Sequence, residues 1–121
     1  MGKILLAEDD NDMRRFLVKA LETAGYDVAH FDNGLSAYHR LREEPFELLL
    51  TDIVMPEMDG IELARRATEL DPDIKVMFIT GFAAVALQAD SQAPKDAKIL
   101  SKPFHLRDLV NEVEKMLQQA A

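Results

Sequence analysis

Four short apolar runs each end in residues able to do chemistry. Lys3-Ile4-Leu5-Leu6-Ala7 leads into Glu8-Asp9-Asp10, and Leu48-Leu49-Leu50-Thr51 leads into Asp52. Val76-Met77-Phe78-Ile79 leads into Thr80-Gly81, and Lys98-Ile99-Leu100 leads into Ser101-Lys102-Pro103. Brought to one place, these ends offer several carboxylates, a hydroxyl and an ammonium. Two like charges about 4 Å apart repel by roughly 4 kcal/mol at an effective dielectric near 20. Several such pairs rival a domain's whole stability of ~5–15 kcal/mol. Burial or proton sharing relieves this, and a divalent cation relieves it more directly. Hard oxygen donors without His or Cys point to Mg²⁺. A metal beside a carboxylate and a lysine suits a phosphoryl group in transfer. Asp52 is then the nucleophile, forming an aspartyl phosphate, while Thr80 and Lys102 hold the other oxygens. No G-x-x-x-x-G-K or G-x-G-x-x-G loop is present to bind a nucleotide, so the phosphate comes from another protein or a small donor.

Not every acid needs that reading. Asp10 and Asp12 stand just ahead of a helical pattern, where acids favour the N-terminus. Asp52 does not fit it, because it directly follows a run that is apolar on both faces and precedes Ile53-Val54.

The elements that position these residues follow from two alternating rhythms. Met13, Phe16, Leu17, Ala20, Leu21 and Ala24 recur at helical spacing, and Gly25 follows where a helix end favours positive φ. Residues 26–31 predict a second strand. A helix opens at Asn33-Gly34, with Leu35, Tyr38 and Leu41 on one face, and stops before Pro45. Residues 48–51 and 76–80 are two-faced strands, the mark of a central parallel position. Between them Ile61, Ala64 and Thr68 mark a helix ended by Asp71-Pro72. Residues 81–94 give a weak helix, 98–100 a fifth strand, and Leu106, Leu109, Val110, Val113 and Leu117 a clear last helix. Strand and helix alternate five times with short connections, which predicts parallel strands and right-handed crossovers. The predicted fold class is α/β: a doubly wound five-stranded parallel sheet, flavodoxin-like, in the order 2-1-3-4-5. In such a sheet ligands bind beyond the carboxyl ends of the strands, where the four clusters stand.

Composition narrows the function. The chain has 121 residues, 14 Lys plus Arg and 22 Asp plus Glu, for a net charge of −8. That length fits one domain with a real core. An acidic chain with no basic cluster argues against a nucleic-acid partner. The absence of cysteine excludes disulfides, thiolate metal sites and thiol nucleophiles. No apolar run approaches the ~20 residues of a membrane span, and the first residues do not form a signal peptide. Gly2 invites a myristoylation reading, but Leu6 stands where Ser or Thr is needed. The expectation is a soluble, cytoplasmic domain with no membrane partner. His30, His39 and His105 lack metal spacing, and the scattered methionines read as core filling.

At this point the sequence resembles a family: the CheY-like receiver domains of two-component response regulators. The resemblance rests on Ile4–Asp10, Leu49–Gly60, Ile79-Thr80-Gly81 and Ser101-Lys102-Pro103-Phe104, in that order, and covers residues 3–118. It implies Asp52 as phosphoacceptor, with Asp9, Asp52 and the Val54 backbone carbonyl as Mg²⁺ ligands and Glu8 assisting through water. It also implies phosphoryl contacts from Thr80 and Lys102, a cis bond before Pro103, and a histidine kinase or histidine phosphotransferase as donor. Glu8–Arg14, Asp52–Ala64 and Phe78–Leu87 further resemble a type of receiver with no output domain. That type, when unphosphorylated, primes the ClpXP protease to degrade selected substrates. On this reading residues 1–121 are one receiver domain, a signalling protein rather than an enzyme.

One departure stands out. Many receivers carry Tyr or Phe three residues before the lysine, where this chain has Ile99. Coupling from Thr80 to the surface would then use another element. Phe82 and Phe104 are candidates, though both also read as plain core aromatics. Residues 81–89 carry no charge, and Phe82, Ala83, Val85 and Leu87 make the segment apolar all round. Either it is deeply buried or it leaves a face for a partner. The chain ends in Ala120-Ala121, which resembles tags read by ClpXP-type proteases and reads equally as a frayed end. Three functions follow: a binding switch that controls proteolysis, a phosphoryl shuttle without a proteolytic partner, or an aspartyl-nucleophile phosphatase. The last needs a second acid two residues past Asp52, where Val54 stands.

Overall fold

A computed structural model of the chain describes residues 2–81, 93–94 and 96–118. In chain order the elements are β1 (Lys3–Ala7), α1 (Asn11–Thr23), β2 (Asp27–Phe31), α2 (Gly34–Glu43) and β3 (Leu48–Asp52). They continue with α3 (Gly60–Leu70), β4 (Lys75–Thr80), β5 (Lys98–Ser101) and α4 (Leu106–Gln118). All four strand pairings are parallel, and the sheet order is β2-β1-β3-β4-β5, as the alternation predicts. The weak helix expected over 81–94 falls mainly on residues outside those described.

The two-faced strands are two-faced because a core lies on each side. Leu49, Val76 and Phe78 pack with Ala37, Leu63, Ala64 and Ala67 beneath α2 and α3. Leu48, Leu50, Met77 and Ile79 pack with Leu17, Leu21, Leu109 and Val113 beneath α1 and α4. Successive strand residues point to opposite faces, so β3 and β4 must be apolar throughout.

Each early helix is started by a short polar side chain. Asp10 accepts from Met13 N–H at 2.9 Å, Asn33 from Ser36 N–H at 2.8 Å, and Asp59 from Glu62 N–H at 2.8 Å. Asp12 lies in the first turn of α1 and pairs with Arg15 at 2.7 Å. Gly25, just past α1, takes φ 102°.

The buried stripes differ in places from the spacing. Phe16 fits the α1 pattern yet is 59% exposed, because Met13, Leu17, Val18 and Leu21 form the packed face. Leu35 of α2 is also exposed, with Ala37 buried instead. In α3 the buried face is Gly60, Leu63, Ala64 and Ala67, one residue round from the Ile61–Thr68 stripe. Leu63 carries the contact there with the small residues, and Ile61 of the predicted stripe packs at its edge.

Candidate phosphoryl and metal site

The carboxyl ends of the four inner and right-hand strands meet at one corner. Ala7 of β1 registers with Thr51 of β3, Asp52 with Ile79 of β4, and Thr80 with Ser101 of β5. Two residues just past their strands are held by continued ladder bonds. Glu8 N–H donates to the Phe31 carbonyl at 3.0 Å, and Lys102 N–H donates to the Thr80 carbonyl at 2.8 Å. The topology thus brings Glu8, Asp52, Thr80 and Lys102 side by side.

Both oxygens of Asp52 are tethered. Ile53 N–H donates to Oδ1 at 2.7 Å, and Lys102 Nζ donates to Oδ2 at 2.8 Å. Lys102 Nζ also reaches Glu8 Oε1 at 3.3 Å, and Asp10 N–H donates to Glu8 Oε2 at 3.1 Å. The Glu8 carbonyl accepts from Arg14 Nη1 at 2.9 Å. Asp52, Glu8 and Thr80 are buried, whereas Asp9 is exposed at the mouth. Carboxylate oxygens of Glu8, Asp9 and Asp52 lie within 4.8 Å of one another. This group could hold a metal ion: three hard oxygen donors gather with a single ammonium between two of them.

The electrostatics follow from burial. Loss of water lifts the Glu8 carboxyl to about 7, the Asp52 charge adds to this, and the Asp10 amide and Lys102 oppose it. Burial works against the charge on Lys102. Its hydrogen bond to Asp52 and the charges of Glu8 and Asp52 outweigh that and hold the ammonium above the usual lysine value.

The remaining sequence candidates scatter around this corner. Val54 sits in the loop after β3, 57% exposed. The Lys102–Pro103 peptide bond is cis. Ile99 registers with Phe78 and packs on the α2/α3 core, and Phe104 is partly buried against the α1/α4 core. Phe82, Ala83, Val85, Leu87, Ala120 and Ala121 lie outside the described residues. His30, His39 and His105 are exposed. Composition and spacing give no role to Arg14 or Gly60. Arg14 clamps the turn after β1 through the Glu8 carbonyl. Gly60 donates its N–H to the Ile53 carbonyl at 2.7 Å, closing the loop that follows Asp52. The Asp59-Gly60 pair signals a turn, but its closeness to Asp52 is tertiary. A cavity of about 370 Å³, lined by Leu41, Phe46, Leu70 and Ile74, lies at the opposite end of the sheet from these groups.

Comparison with known proteins agrees with this geometry. The family model described as the response regulator receiver domain matches residues 4–114. The response regulator receiver protein CpdR of Brucella abortus is 85% identical over 117 residues, covering 97% of this chain and 98% of that protein. The sensor kinase CckA of the same organism is 38% identical over 120 residues, 96% of this chain but 12% of the kinase. Among solved structures, the response regulator TrrA of Thermotoga maritima, in complex with Mg²⁺ and BeF, superposes with a TM-score of 0.84 at 26% identity. That match covers 96% of this chain and 99% of TrrA.

Proposed function

The chain belongs to the response regulator receiver family, and on that premise we propose that Asp52 is the residue through which it is switched. The protein is a phosphorylation-controlled receiver, strongly similar to CpdR. In the proposed step an Asp52 carboxylate oxygen attacks the phosphorus of a phosphohistidine on a histidine kinase or phosphotransferase. The new O–P bond forms as the N–P bond breaks, and the histidine nitrogen keeps the electron pair. Bound Mg²⁺, held by Asp9, Asp52 and the Val54 carbonyl with Glu8 nearby, would neutralise charge on the phosphoryl oxygens. The chain's own residues do the rest. Ile53 N–H and Lys102 fix the Asp52 carboxylate, so little reorganisation precedes attack. Lys102 then turns its ammonium from Asp52 to a phosphoryl oxygen, and the Thr80 hydroxyl holds another. The observation that supports this most is the single ammonium set between the buried carboxylates of Glu8 and Asp52.

The output we propose is that of a CpdR-type adaptor. The unphosphorylated receiver primes ClpXP toward selected substrates, and phosphorylation shifts the population of its packing away from that state. The 81–89 segment and Phe104 are the proposed read-out, and Ala120-Ala121 the proposed degradation tag. The adaptor works in the cytoplasm, as a signalling protein without catalysis beyond its own phosphorylation cycle. The test is the affinity for ClpX of the bare and the phosphorylated protein. The adaptor reading expects tighter binding by the bare form, and no binding by either form removes it. The likeness to the CckA segment favours a second reading, a phosphoryl shuttle with no proteolytic partner. That reading expects transfer to and from a histidine phosphotransferase and no ClpX binding.

A further inference from the structure

The loop that follows β3, residues 53–60, has an uncommon shape. Met58 N–H donates to the Pro56 carbonyl at 2.8 Å, closing a tight turn about Glu57, whose φ is 73°. A bond of that short span with positive φ at its centre is a γ-turn of the rare, strained form. Ile53 and Met55 anchor the first half of the loop by burying their side chains in the α2/α3 core. Pro56 and Glu57 are exposed, so their own side chains do not hold the turn. Strained backbone persists only where its surroundings leave it no room to relax.

That room is taken by the start of α2. Gly34, its first residue, is buried. A Cβ built on Gly34 would lie 2.8 Å from both the carbonyl carbon and the Cβ of Met58, and closer still to the Met58 carbonyl oxygen. Glycine lets the two backbones approach this closely. Asn33 fixes where α2 begins, because its side chain accepts from Ser36 N–H at 2.8 Å. The path from Met58 to the site is short. Gly60, just beyond Met58, donates to the Ile53 carbonyl at 2.7 Å. That carbonyl belongs to the peptide unit joining Ile53 to Val54, and Ile53 N–H donates to Asp52 Oδ1 at 2.7 Å.

We propose that Gly34 is a positioning residue for the metal and phosphoryl site. The backbone at the start of α2 is the outer wall of the 53–60 loop. It keeps Met58 in place, Met58 keeps the turn at Glu57 closed, and the Gly60–Ile53 bond passes that order to the Val54 carbonyl and the Asp52 carboxylate. A side chain at position 34 pushes the Met58 carbonyl away, and the strained turn relaxes with it. Gly34 touches neither metal nor phosphoryl group and acts through the loop alone. The inference rests on the reading of Asp52 as acceptor and of the Val54 carbonyl as a Mg²⁺ ligand.

Calorimetric titration of the full, unphosphorylated chain with Mg²⁺ tests this, beside amide exchange in metal-free protein. Gly34→Ala is expected to weaken Mg²⁺ binding at least fivefold and to speed exchange at the Met58 and Gly60 amides. Asn33→Ala loosens the start of α2 without adding bulk, and is expected to move both read-outs the same way, at least twofold. It keeps the test open should Gly34→Ala not fold. Val113→Ala, buried in the α1/α4 core away from the loop, supplies the comparison for a purely structural loss. It is expected to lower the urea midpoint and leave Mg²⁺ affinity as in the wild type. Wild-type Mg²⁺ affinity in folded Gly34→Ala, or in Asn33→Ala, would overturn the proposal. So would unchanged exchange at the two amides, or an equal loss of affinity in Val113→Ala. A wild type that binds no Mg²⁺ would instead remove the reading of the site itself, and this inference with it.

Discussion

Gly60 is pressed against the backbone carbonyl of Asp52: a Cβ built on Gly60 would collide with that oxygen. The contact is backbone to backbone, so it cannot be relieved by a side chain swinging aside. Gly60 also closes the 53–60 loop through the Ile53 carbonyl, and Ile53 N–H orients the Asp52 carboxylate. The start of α3 and the aim of Asp52 are therefore one structural unit.

Gly60→Ala should destabilise the protein by about 1–3 kcal/mol or more, the usual cost of forced overpacking. It should also slow phosphorylation, because the carboxylate is displaced. Gly81→Ala is the control for added bulk, since among the described residues a Cβ there meets nothing within 4 Å. Urea midpoints and phosphorylation rates of the two variants check this. An unchanged midpoint for Gly60→Ala would show that the backbone can give way.

Lys102→Met should cost about 1–3 kcal/mol in metal-free protein, the scale of hydrogen bonds to charged groups. The cost stays below that of a fully buried pair because the Lys102 side chain is 27% exposed. Among the described residues no other cation pairs with Asp52 or Glu8. Added Mg²⁺ should return more stability to this variant than to the wild type. Denaturation with and without Mg²⁺ measures the difference, and an equal gain in both proteins would argue against shared carboxylates.

Stability without metal should fall as pH rises through the range set by Glu8. Its carboxyl goes from the usual 4.5 to about 7 on folding, mainly through burial. Between those values the folded protein holds a proton that the unfolded chain releases. The resulting stabilisation is complete below the unfolded value and is lost as pH passes the folded one. A metal ion binds the carboxylate, so Mg²⁺ affinity should rise over the same interval. Glu8→Gln should flatten both profiles, as read by melting curves and Mg²⁺ titrations across that range.

Much of this was legible in the sequence, for physical reasons. Leu48–Leu50 and Val76–Ile79 are apolar on both faces because they are covered on both faces, which fixes them as central strands. Asp10 and Asn33 announce helix starts because their side chains satisfy helix N–H groups. The helix faces were less legible. Phe16 and Leu17 both fit a helical stripe, and only packing decides that Leu17 is buried. The α3 face is built from Leu63 together with Gly60, Ala64 and Ala67, whose smallness suits close approach and adds little hydropathy contrast. The meeting of Lys102 with Asp52 and Glu8 spans 50 and 94 residues, so it could be reached only through the strand order. The link from Arg14 to the site could not be found from spacing, since it runs to the Glu8 backbone carbonyl.

Central to the account is Asp52 as the one phosphoryl acceptor. Intact-mass measurement after incubation with acetyl phosphate, with Mg²⁺ present or chelated, tests it most directly. The wild type should gain a single phosphoryl group only with Mg²⁺, and Asp52→Asn should gain none while keeping its fold by circular dichroism. A folded Asp52→Asn protein that still takes up the phosphoryl group would contradict the account.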